Sequence, residues 1–377
     1  MAFSPFRARS SADAATGLKR LASSLSDIVS SSAPIPLSWV TPPAGEDYLN
    51  LGDALSPVIV AMMARRGVVH RPSKSKGTRL AAVGTIGHMM AGGHVHLWGT
   101  GTSPHLNPGD ARDQKVAYRR PAGTELTFHA TRGPFSRRVL GGDMSGPAVY
   151  GDPLWLLPRF HPAPSEKTAE LGVILHLAEL SERSFDARAK DANGRHSIDP
   201  ADRGRIRMLN TVTPVSIAAL RTRLDEILAC KRIVSTSLHG MVFAESYGIP
   251  CLYFSPRAKK SGLGRIDLSD ESGVIDLRFV DLYRGLGKTH LDVWYQPRGE
   301  KTDWGAVIDA IDRVWEPKPF NAEPLIEAFP LPLDMMIPAA GASAFDDPLI
   351  AGLPTRRRQM PILSSLEAMA AKFLKRR

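Results

Sequence analysis

Short apolar runs alternate with helical runs along most of the chain, and small residues mark the junctions. Val68-Val69, residues 80–83 and residues 95–98 have strand length, and Gly84-Thr-Ile-Gly87 and Gly99-Thr-Gly101 follow the second and third. Small residues beyond a strand let backbone approach a ligand closely. Ahead of them a helical run covers 54–66, with Pro57 placed for its first turn and Gly67 for its stop. Glu125-Leu-Thr-Phe-His-Ala-Thr131 alternates like a strand; Arg132-Gly-Pro134 and a short helix over 135–140 follow, ended by Gly141.

The second half repeats the pattern. Residues 171–177 read as a buried strand, 206–210 as another, and 215–228 as a helix with Ile217, Leu220, Leu224, Ile227 and Leu228 at core spacing. Residues 232–254 read as strand, turn, helix, turn, strand, with Ser235-Thr-Ser237 as the turn and Gly248 ending the helix. Further helices begin at Arg278, stopping near Gly285 and Gly287, and over 303–315. Residues 183–202 form a polar loop, and 316–354, rich in Pro and Ala, take no firm assignment. The alternation predicts the α/β class.

A length of 377 residues points to two domains with tails. The boundaries expected are a flexible N-terminal extension over 1–38, a first domain over 39–160, a second over 161–318, and a C-terminal segment over 319–377. The extension has no apolar core of a secretory signal, although Leu18, Leu21, Leu25 and Ile28 can line one face of a short helix. Three prolines within 158–167 mark the linker.

Hydrophobic residues at 43% and charged residues at 23% fit a soluble globular protein. No apolar run reaches the ~18 residues of a transmembrane helix. Cys230 and Cys251 form neither a disulfide framework nor a metal pattern and suit a reducing compartment. The net charge of +10 is concentrated: residues 356–377 hold seven basic side chains against one acidic, so the body is close to neutral. No nucleic-acid partner is expected. In that tail Ile362, Leu363, Leu366, Met369, Ala370, Phe373 and Leu374 share one helical face. The pattern fits an anchor on an anionic membrane surface, each Lys or Arg contributing roughly 1 kcal/mol. A helix packed on the body with a solvated basic end is the alternative.

Candidate chemistry gathers at strand ends. His239 follows the 233–234 strand, where open α/β sheets bind ligands; packing in the core is the other reading. Arg132 stands at a similar junction, or is simply a solvated arginine. Asp53 either caps its helix or faces a ligand. No His/Cys/Asp cluster has metal-ligand spacing, so no metal is expected.

Taken in order, Asn50-Leu-Gly-Asp53, Trp98-Gly-Thr-Gly101, Thr131-Arg-Gly-Pro-Phe-Ser-Arg-Arg-Val-Leu140, Gly151-Asp-Pro153, Ser235-Thr-Ser-Leu-His-Gly240 with Tyr247-Gly-Ile-Pro250, and Arg278-Phe-Val-Asp-Leu-Tyr283 resemble the polysaccharide pyruvyltransferase family. The likeness is closest to its bacterial exopolysaccharide ketal-pyruvate transferases and spans about residues 45–290. It implies a GT-B-like fold, two Rossmann-like domains facing a cleft. It also implies transfer of a pyruvyl group from phosphoenolpyruvate, the donor substrate, to two hydroxyls of one sugar as a cyclic ketal. No cofactor is implied. The acceptor implied is a lipid-linked oligosaccharide or polysaccharide, which places the chain in the cytoplasm, peripheral on the inner face of the cytoplasmic membrane.

By the same resemblance Arg132 and His239 belong to the donor site, completed by a later cation. Lys259 has family-like spacing from His239, whereas Arg278 opens a motif that often begins with Lys; either fits. Ser237-Leu238 stands where many members have Arg-Leu, which removes one phosphate contact. The chemistry suits these residue types. Arg forks match carboxylate and phosphate oxygens. Backbone N–H groups from Ser237 to Gly240 suit an anion. His239 can bind the phosphate or deliver a proton. Asp53 or Glu245 can orient or deprotonate the acceptor. Asn50, Gly52, Gly99 and Gly101 complete the expected substrate-binding set. A nucleotide-sugar glycosyltransferase of the same architecture is the alternative, with Glu245 on the ribose hydroxyls.

Overall fold

The computed structural model describes residues 24–355 apart from 43, 44, 258 and 274. The basic helix expected over 356–377, with Leu18 and Leu21, lies outside the described residues. A short helix, Leu25–Ser30, is capped by Ser24 and buries Ile28. β1 (Ile35–Ser38) and β2 (Tyr48–Asn50) precede the helix Leu51–Ala64. β3 (Val68–His70), β4 (Arg79–Ala81), β5 (Gly93–Leu97) and β6 (Thr124–Phe128) follow, then the helix Pro134–Val139. The second half runs β7 (Leu171–Leu175), β8 (Ile206–Asn210), β9 (Val212–Pro214), helix Ile217–Leu228, β10 (Ile233–Ser235), helix Leu238–Ser246 and β11 (Cys251–Ser255). β12 (Gly262–Asp267), helix Leu277–Gly285, β13 (His290–Tyr295) and helix Trp304–Val314 complete it.

Two Rossmann-like sheets result. The first has the order β3-β1-β4-β5-β6, all parallel. The second has the order β12-β13-β11-β10-β7-β8, parallel except for β12 at its edge. β2 pairs antiparallel with β9, so a two-stranded ribbon ties the halves together. The helices Leu51–Ala64 and Leu238–Ser246 are apolar around nearly their whole circumference, which only an interior position accommodates.

Several elements depart from the sequence expectation. Residues 35–38, expected within a flexible extension, form the strand between β3 and β4, with Ile35 and Leu37 fully buried. The helix expected at 54 begins at Leu51, so Pro57 lies in its interior. Asn50 occupies the N-cap position, and Asp53 sits inside the first turn, where it does not cap. Residues 316–354, which took no assignment, return to the first half. Leu325, Ile326, Phe329, Leu331 and Met336 join the core around the helix Leu51–Ala64. No helix among the described residues is long and apolar enough to cross a membrane.

Candidate functional site

Strands of both sheets end at one cavity of about 230 Å³. Thr85 and Ile86 enter it beyond β4, His176 immediately after β7, Thr211 after β8, and Ser237 and His239 after β10. Asn50 and Asp53 come from the start of the helix Leu51–Ala64, and Arg278 from the start of the helix Leu277–Gly285. The carboxyl ends of parallel strands are where open α/β sheets leave space for ligands. Here the two halves share that space. Leu51 N donates to Thr211 O at 2.7 Å, which fixes the first helix against the second sheet.

His239 is 9% exposed, and its Nε2 has no hydrogen-bond partner among the described residues. Its ring lies against Gly52, where a Cβ would stand 2.1 Å from ring atoms, so glycine is what permits the two helix starts to meet. Burial, then the charges of Arg278 and Arg132 and the ring of His176, push its pKa down to about 3. The imidazole is therefore neutral at pH 7. Asp53 shows the opposite shift: burial raises it to about 6, against the opposing pull of Arg278 and a 2.9 Å hydrogen bond from Asn50 Nδ2. A neutral base and a carboxyl titrating near neutrality line the same cavity, the pairing of shifted groups that acid–base chemistry requires.

Arg132 stands one layer behind the wall. It is 1% exposed; Nη1 donates to Thr85 Oγ1 at 2.8 Å, and Nε donates to the fully buried Asp281 at 3.1 Å. Asp281 also accepts from Ser136 N at 2.9 Å and Ser136 Oγ at 2.5 Å. Arg132 and Ser136 come from the first half and Asp281 from the second, so this ion pair crosses between them. Asp152 is near enough to feel both Arg132 and Asp281, and burial raises it to about 6.

Residues 89–257 match the family model for polysaccharide pyruvyl transferase. Over that span the chain is similar to that family. No curated protein and no solved structure matches it. The matched span takes in β5 to β11, and with them Arg132, His176 and His239; Asn50, Asp53 and Arg278 lie outside it and reach the cavity through the fold.

Of the residues the sequence singled out, Asn50, Asp53, Ser237, His239 and Arg278 line the cavity. Arg132 touches it through Thr85. Gly52, Gly101 and Gly240 act by close approach: added Cβ atoms would lie 2.3 Å from the Arg132 guanidinium at Gly101 and from Ser235 Oγ at Gly240. Gly99, at φ +78°, packs against Pro153. Between the two later cations, the structure brings Arg278 to the cavity and leaves Lys259 exposed outside its lining. Glu245 is also not in the lining. Its carboxylate accepts from the Tyr283 hydroxyl at 2.8 Å and the Trp315 indole at 3.2 Å, with Lys318 at 3.6 Å, which makes it a buried structural anchor.

Sequence reasoning missed His176, Thr85 and Asp281. His176 directly follows the apolar run 171–175, the same strand-end position that singled out His239. Asp281 lies within the Arg278-to-Tyr283 motif, but its partner across the halves is visible only in the fold.

Proposed function

We propose that the chain transfers a pyruvyl group from phosphoenolpyruvate to two hydroxyls of one sugar in a polysaccharide repeat unit, closing a pyruvate ketal. The observation that supports this reading most is the cavity at the strand ends of both sheets, where Arg278, neutral His239 and Asp53 meet in a chain that matches the pyruvyl transferase family model over residues 89–257. Two Rossmann-like sheets around such a cavity fit a GT-B-like arrangement. A lipid-linked acceptor, met on a membrane surface through the basic C-terminal tail, suits the same reading.

The directions of the two shifts support the following roles. Protonated Asp53 gives its proton to the donor methylene, which becomes a methyl group and leaves C2 electrophilic. The first sugar hydroxyl attacks C2 and passes its proton to His239 Nε2. The C2–O bond to phosphate breaks, and the phosphate leaves with the proton from His239. The second hydroxyl attacks C2, and its proton restores Asp53. Arg278 holds donor oxygens, and Arg132 positions Thr85 and supplies positive potential. The glycosyltransferase alternative loses support, because Glu245, the carboxylate offered to a ribose, is committed to Tyr283 and Trp315.

The test joins binding and turnover. Phosphoenolpyruvate is expected to raise the melting temperature where UDP- and GDP-sugars do not. His239→Ala should lower turnover by about 10²–10⁴. A His239→Ala protein turning over like wild type would remove His239 from the chemistry.

A further inference from the structure

His176 and Arg278 meet in the cavity wall. Ala178 N donates to His176 Nδ1 at 3.2 Å, so Nδ1 is the lone-pair nitrogen and the ring proton sits on Nε2. Nε2 lies 3.5 Å from Arg278 Nη2. Both atoms then carry hydrogens, and two donors cannot satisfy each other.

Arg278 is anchored on its other side. Nε donates to both oxygens of Asp276 at 3.0 Å, and Nη2 donates to Oδ2 at 2.6 Å, which leaves the second Nη2 hydrogen, fixed in the guanidinium plane, without a share in Asp276. His176 is also held through its backbone: its main-chain N–H donates to Thr236 Oγ1 at 2.6 Å, and the Thr236 hydroxyl donates to Glu179. Two fixed donors therefore converge on one point in the cavity wall. Ser237, the N-cap of the helix Leu238–Ser246, lines the same cavity without making a side-chain cap, so the positive end of that helix adds to the site.

We infer that His176 Nε2–H and Arg278 Nη2–H form a two-pronged subsite for an oxyanion, the phosphate or the carboxylate of the donor. The inference rests on the reading above for the identity of the donor, but not for the existence of the subsite. Burial, followed by the charge of Arg278, lowers the His176 pKa, which keeps the ring in the neutral form with hydrogen on Nε2. The histidine thus contributes as a directed donor, and the net positive charge comes from Arg278.

The experiment is calorimetric titration of the full chain with inorganic phosphate, pyruvate and phosphoenolpyruvate. Two variants separate the ring nitrogens. His176→Asn retains an acceptor for Ala178 N and has nothing at Nε2. His176→Gln carries an N–H where Nε2 stood. Loss of one hydrogen bond to a charged acceptor is expected to weaken binding about tenfold in His176→Asn, and His176→Gln should stay within about threefold of wild type. Weakening confined to phosphate and phosphoenolpyruvate assigns the subsite to the phosphate end; weakening confined to pyruvate and phosphoenolpyruvate assigns it to the carboxylate end. Unchanged affinity for all three in a folded His176→Asn protein overturns the subsite and leaves the pyruvyl-transfer reading standing. Wild type that binds phosphate through His176 but not phosphoenolpyruvate does the reverse.

Discussion

At the scale of single residues, the cavity departs from solution chemistry in two opposite directions. His239 is held neutral by burial and by two arginines, while burial holds the Asp53 proton to about pH 6. Both shifts come mainly from the loss of water, which disfavours whichever form is charged. The sign for activity follows. Asp53 must be protonated to donate, so kcat/KM should fall as pH rises through about 6 in the free enzyme. A bound trianionic donor adds negative charge beside the carboxyl and raises its pKa further, so the limb in kcat should lie above the limb in kcat/KM. Rate profiles at saturating and limiting donor measure the two. Asp53→Asn should reduce turnover by about 10²–10⁴ at low pH, where wild-type Asp53 is protonated, and by less as the pH rises. A flat kcat/KM between pH 5 and 8 would rule Asp53 out as that acid.

At the scale of elements, the helix Leu277–Gly285 does two things one turn apart. Arg278 faces the cavity, and Asp281 three residues later meets Arg132, as neighbours at i and i+3 on one face can. The packing is tight. A Cβ at Gly133 would stand 1.8 Å from the Asp281 carbonyl oxygen, and one at Gly285 would stand 2.3 Å from the carbonyl oxygen of Arg132. Removing one partner of a fully buried ion pair strands the other charge, so Asp281→Ala should cost about 3–5 kcal/mol in denaturant unfolding. A loss below about 1 kcal/mol would mean that water reaches Arg132 and compensates it.

Much at this scale could be read in advance. β5, β6, β7, β8, β10 and β11 are apolar or alternating runs bounded by small residues, and the helix Ile217–Leu228 buries the five side chains its spacing marks. β1 escaped because it is four residues long and contains Pro36, which argues against a central strand. β2 and β9 are three residues each and exist through pairing between halves that lie far apart in sequence. The site divides likewise: His239 and Arg132 stand at junctions visible in the sequence. The engagement of Glu245 with Tyr283 and Trp315, and the choice of Arg278 over Lys259, depend on distances across the fold.

At the scale of the whole molecule, the segment after the helix Trp304–Val314 makes the first half depend on the end of the chain. The helix Leu51–Ala64 leaves carbonyls without partners at its last turn, as helices do. Met336 N donates to Met62 O at 2.8 Å and Asp334 N to Met63 O at 3.1 Å, so the returning segment satisfies two of them. The buried Trp98 indole donates to Leu325 O at 2.8 Å, and Phe329 packs edge-on to the Trp98 ring with centroids 4.8 Å apart. Trp98 follows β5 directly, next to Gly99 and Gly101, so this packing lies beside the turn that Arg132 rests on. The first sheet, the cavity wall and the returning segment should therefore unfold as one unit. Phe329→Ala removes a ring that is 6% exposed and should cost about 3–5 kcal/mol, as buried Phe truncations do. Urea unfolding followed by Trp fluorescence and by far-ultraviolet circular dichroism measures this. Coincident transitions at a lower midpoint are expected. A fluorescence change that precedes the loss of secondary structure would show instead that the segment docks as a separable strap, and the cavity would then tolerate its release.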